Sequence, residues 1–132
     1  MSRALSIDRK VHTDDLLIRQ RLEAMIEYGH IAIRQFPKSE RHVLGAEIRS
    51  TMWGLLRLVV VCNKRYFKKT TLQELDADLD LLRCQVRLAK QLQYLDIKKY
   101  EHWARLNDEL GRMIGGWIKA MGSGSAGGTG ER

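Results

Sequence analysis

Proline occurs once in the 132 residues, cysteine twice, and aromatic residues make up 7%. So little proline removes the chain from the proline-rich linkers, and 44% hydrophobic with 30% charged residues separates it from disordered segments. The cysteines, Cys62 and Cys84, are far apart and lie in apolar helical patterns, so both are expected as small core residues in a reducing compartment. Long apolar runs are missing too. The longest, Leu55 to Cys62, is interrupted by Arg57, and the first residues lack a leader-like core, so no membrane contact and a cytoplasmic location are expected.

Chemistry-bearing motifs are equally scarce. His12, His30, His42 and His102 show no ligand spacing with one another or with the cysteines, so no metal is expected. Asp76, Asp78 and Asp80 echo the start of a calcium loop but fall inside a leucine-periodic segment without the turn glycine. Residues 122–130 are rich in Gly and Ser, yet no strand precedes them and no Lys-Ser/Thr follows, which excludes a phosphate loop. No residues assemble a nucleophilic or acid-base motif, so neither catalysis nor a cofactor is expected.

What is present is helical periodicity. From about Asp14 to Gln35, Ile18, Leu22, Met25, Ile26, Gly29 and Ile33 recur at helical spacing until Pro37 ends the run. Ser39 is a candidate N-cap for a second helix, about 40 Å long, whose stripe of Leu44, Ile48, Thr51, Met52, Leu55, Leu58, Val59 and Cys62 reaches Arg65. Thr71 to Glu74 fits a capping box opening a third helix. Leu72, Leu75, Leu79, Leu82, Val86 and Ala89 form its main stripe, and Leu81, Cys84, Leu88, Leu92 and Leu95 widen the apolar face. Asp96 is expected to cap a fourth helix, carrying Trp103, Leu106, Leu110, Met113, Ile114, Trp117 and Met121 and ending at Gly122. Within it, Gly111, Gly115 and Gly116 suggest close approach by another helix. Short connections between four one-sided helices favour an antiparallel four-helix bundle over residues 14–121, with an N-terminal arm at 1–13 and a flexible tail at 122–132.

The charge is concentrated. Of a net +7, residues 38–69 supply +6: Lys38, Arg41, Arg49, Arg57, Lys64, Arg65, Lys68 and Lys69 stand against Glu40 and Glu47 alone. At about 100° per residue, His42, Arg49, Trp53, Arg57 and Lys64 share a sector opposite the core stripe of the second helix. Cations interleaved with an indole suit phosphates and unstacked bases, which makes these nine residues (the eight cations and Trp53) the candidate nucleic-acid surface. The competing reading is a solvated face partly neutralised by Glu74, Asp76, Asp78 and Asp80. Leu56, Val60 and Val61 make the middle of this helix apolar nearly all round, which implies a homo-oligomer seam there, unless Leu5 and Ile7 of the arm cover it.

Three segments carry a family likeness: Phe36-Pro37-Lys38-Ser39-Glu40-Arg41, the run from Leu79 to Leu92, and Gly111 to Ile118 (GRMIGGWI), the most specific. Over about Leu17 to Met121 the chain resembles the accessory variability protein, Avd, of diversity-generating retroelements. The first segment is shared with the wider group of four-helix-bundle proteins encoded in ribosomal RNA intervening sequences. Those relatives often end the second helix with Asn-x-Ala-Glu-Gly, where this chain has Cys62-Asn63-Lys64-Arg65-Tyr66, a departure that favours the Avd side. The resemblance implies a basic homopentamer that associates with the retroelement's reverse transcriptase and its template RNA, or an RNA/DNA hybrid, in support of mutagenic cDNA synthesis. A protein-interaction scaffold without nucleic-acid binding is the alternative.

Overall fold

A computed structural model describes the backbone over residues 2–129 and the side chains over residues 15–121. Four helices follow in order, α1 (Ser2–Ile33), α2 (Leu44–Lys64), α3 (Lys69–Gln91) and α4 (Ile97–Thr129), with no strand among the described residues. Each packs on its two sequence neighbours or closes the ring through α1 against α4, while the diagonals stay apart. The product is an antiparallel four-helix bundle, the arrangement that short connections between one-sided helices impose. α1 starts at Ser2 rather than near Asp14 and α4 runs past Gly122 to Thr129, so the backbone of the expected arm and of most of the expected tail continues these helices, while their side chains, with those of Leu5 and Ile7, lie outside the described residues.

The predicted stripes form the core. On α3, Leu72, Leu75, Leu79, Leu82, Val86 and Ala89 are all buried, facing Ile48, Met52, Leu55, Val59 and Cys62 of α2. Each large aliphatic side chain withdrawn from water in this way contributes roughly 1.5–3 kcal/mol. Trp103 of α4 is fully buried and donates its indole N–H to the Met25 sulfur at 3.3 Å. Gly29 lets α1 approach there: a Cβ on it would sit 2.6 Å from Met52 Sδ and 2.9 Å from Trp103 Cζ2.

The helix ends differ from the expected ones in several places. Ser39 is no cap: residues 38–43 are turns, held by bonds such as Glu40 N–H to Pro37 carbonyl at 2.8 Å, and α2 begins at Leu44. With 21 residues it is about 32 Å long rather than 40. The capping box of α3 is not formed either. Its N-cap is Lys68, and Thr71 is buried one turn in, where its hydroxyl accepts from Arg65 Nη1 at 2.8 Å. Asp96 does cap α4, accepting the Lys99 backbone N–H at 2.8 Å, and this bond holds its carboxyl below the usual range. Between α3 and α4 the chain reverses through Gln93 at φ 66, with Tyr94 N–H bonded to Ala89 carbonyl and Gln93 N–H to Lys90 carbonyl. That pair of bonds closes the α3 terminus in the left-handed manner usually given to glycine.

Two packing expectations fail. The second α3 stripe is not core: Leu81, Leu88 and Leu92 are about half exposed and Cys84 is exposed, while Leu95 alone is buried. A Cβ on Gly115 or Gly116 would meet nothing within 4 Å, and one on Gly111 would meet the Arg83 guanidinium rather than a helix backbone.

Candidate nucleic-acid interface

The cations of residues 38–69 divide by what they touch. Arg41 donates through Nε to the Phe36 carbonyl at 3.0 Å, and Arg49 donates through Nη2 to the Arg41 carbonyl at 3.1 Å. Both are half-buried, and together they pin the α1–α2 connection, whose carbonyls have no helix to satisfy them. At the other end of α2, Lys68 Nζ donates to the Cys62 carbonyl at 2.6 Å and Arg65 to Thr71, so both tie the α2–α3 turn. Lys38, Arg57, Lys64 and Lys69 are exposed with no such bond.

None of the eight forms an ion pair with a carboxylate among the described residues. Among the described residues the ion pairs join Arg21 to Glu109, Arg83 to Asp80 and Asp108, and Lys99 to Asp96, so Glu74, Asp76 and Asp78 pair with no cation of this segment. With eight cations against Glu40 and Glu47 in the same segment, the group projects a positive field from the α2 side of the bundle.

Trp53 is 54% exposed on α2 and its ring lies 5.9 Å from that of His30 on α1, which supports the indole and leaves much of it to solvent. Trp53, Arg57 and Lys64 are all exposed, on the sector facing away from Ile48, Met52 and Val59. His42, expected on the same helical face, belongs instead to the turn before α2. In the middle of the helix Leu56 and Val61 are half-buried and Val60 is 40% exposed.

Cys62 lies beneath this surface, fully buried, and burial pushes its thiol up from the ordinary value while Lys68 partly opposes the shift. No group of three metal-ligating side chains occurs among the described residues. No helix among them is long and apolar enough to cross a membrane.

Residues that composition and periodicity missed lie on α3 and α4. Asn107, at 1% exposure inside α4, and Gln85, on the buried side of α3, are polar groups within the apolar pattern, and an i, i+3, i+4 count passes over them.

A family model described as bAvd-like matches residues 16–121, which covers nearly the whole bundle. No curated protein matches the chain.

Proposed function

Because the chain belongs to the bAvd-like family, we propose that it is a non-catalytic, nucleic-acid-binding accessory subunit of a diversity-generating retroelement. In this role it associates with the reverse transcriptase and with template RNA, or an RNA/DNA hybrid, in the cytoplasm, and supports mutagenic cDNA synthesis. The observation that carries the nucleic-acid part is the set of cations at 38–69 with no carboxylate partner among the described residues. A polyanion neutralises them and releases its own counterions, and Trp53 adds a stacking surface beside them.

Division of labour within the set follows from its hydrogen bonds. Arg57, Lys64, Lys38 and Lys69 are free to reach phosphates, whereas Arg41, Arg49, Arg65 and Lys68 shape the two connections and lend charge from fixed positions. Self-association would multiply the phosphates engaged. Leu56, Val60 and Val61 form one side of the proposed seam, and the exposed Leu81, Leu88 and Leu92 of α3 supply a second, different apolar face. Two unlike faces suit a head-to-tail contact that closes into a ring, and the pentamer is what the family likeness implies. Light scattering at micromolar concentration is expected to show an oligomer, and a monomer would remove the seam.

The test of the function is reconstitution. cDNA made on template RNA is measured with the polymerase alone, with this chain added, and with an Arg57→Glu/Lys64→Glu variant. Added chain is expected to raise cDNA yield and the variant to fail, and equal yields in all three would refute the reading. The scaffold alternative draws on the same exposed α3 leucines. It is favoured if nuclease treatment leaves the native complex intact and the charge-reversed variant works normally.

A further inference from the structure

Between α3 and α4 lies a cleft of about 160 Å³. It is bounded by Arg83, Val86 and Arg87 of α3 and by Tyr100, Asn107 and Asp108 of α4. The cleft contains polar groups that the protein leaves unsatisfied. Asn107 is 1% exposed, yet neither its amide nitrogen nor its amide oxygen has a hydrogen-bond partner. Arg83 gives Nη1 to Asp80 at 3.4 Å and Nη2 to Asp108 at 3.2 Å and to the Asn107 backbone carbonyl at 3.4 Å, which leaves its buried Nε without a partner. Buried polar atoms are nearly always paired in folded proteins, and three orphans on two side chains that bound one cleft point to an occupant.

The chemistry of that occupant can be read from the lining. Arg83 is offset by Asp80 and Asp108, so the positive charge at the cleft is that of Arg87, and Lys90, 5.0 Å from the centroid of the Tyr100 ring, adds to the field. Arg87 has one weak contact, 3.5 Å to Cys84 Sγ, and is free to turn inward. Water can satisfy the amide and the Nε–H but brings no charge to offset Arg87, which pairs with no carboxylate among the described residues, and the space exceeds the about 30 Å³ that one molecule needs. Guanidinium, amide N–H and phenol hydroxyl together suit a small oxyanion. The Asn107 oxygen demands a donor as well, which a phosphodiester lacks and a singly ionised phosphate or phosphate monoester provides through its P–OH.

We propose that the α3–α4 cleft is a binding site for a phosphate monoester group, held by Arg83 Nε, the Arg87 guanidinium and both edges of the Asn107 amide. This site is separate from the α2 surface and stands or falls without it. Inorganic phosphate, a terminal phosphate on a nucleotide and the 5′ end of a phosphorylated strand share the chemistry.

The full chain is titrated with inorganic phosphate, a nucleoside 5′-monophosphate and a 5′-phosphorylated oligonucleotide at about pH 6, where a large share of each terminal phosphate keeps one proton, against chloride at matched ionic strength, and followed by phosphorus NMR and thermal melting. Saturable binding of at least one is expected, and the tightest of the three identifies the source. Arg87→Gln, at an exposed position, should weaken it about tenfold, and Asn107→Leu should abolish it while leaving the melting temperature without ligand unchanged or higher. Sulfate, which carries no proton at this pH, should bind more weakly. The proposal is overturned if none of the three saturates, if Arg87→Gln binds like the parent, or if sulfate binds equally well.

Discussion

Cys62 and Cys84 look alike in the sequence, each set among aliphatic residues at helical spacing, and the bundle treats them oppositely. Cys62 is buried, and its thiol is pushed up by loss of solvent, so it is both inaccessible and protonated. Cys84 lies on the exposed side of α3. A native-state alkylation at neutral pH should therefore label Cys84 alone, and unfolding should release the second thiol. Rapid labelling of both in the native protein would contradict this placement. The glycines divide in the same way. Gly29→Ala forces a Cβ against Met52 and Trp103 and should destabilise by about 1–3 kcal/mol. Gly115→Ala meets open space in a helix and should stabilise by about 0.5–1 kcal/mol. Thermal melts of the two variants check both signs.

At the level of elements, the buried stripes of all four helices were legible because burial on one face enforces a 3.6-residue period. The helix ends were less so, since they depend on hydrogen bonds from residues distant in sequence. Ser39 has the right chemistry for a cap, but the Pro37 carbonyl closes a turn there first, and Arg49 reaches back eight residues to the Arg41 carbonyl. Nothing in the period tells that Arg49 supports a loop while Arg57, two turns on, does not. Arg49→Ala should consequently cost about 1–2 kcal/mol in denaturant melts, and Arg57→Ala should cost nearly nothing. The Asp96 cap was legible because it is local. Its carboxyl is held low by the Lys99 N–H, so the stability it confers is complete above the unfolded carboxyl range, near pH 4, and is lost as pH falls through the lower folded value. Asp96→Asn keeps an acceptor that does not titrate and should show a smaller drop in melting temperature on acidification.

Across the whole molecule, charge and apolar surface are distributed unevenly. The concentration of cations in residues 38–69 was visible by counting, but a count cannot tell which of them a protein ties to its own carbonyls. The second α3 stripe differs for a related reason: the spacing of Leu81, Leu88 and Leu92 records an apolar face without recording what covers it, and the described residues leave it about half exposed. The central claim is that the exposed α2 cations grip a nucleic-acid backbone, and salt dependence measures this most directly. Affinity for single-stranded RNA should fall linearly on a log–log plot against salt. The Arg57→Glu/Lys64→Glu variant should bind more weakly, with the slope reduced by about 0.7 for each phosphate it no longer neutralises. An identical affinity and slope in the two proteins would contradict the account.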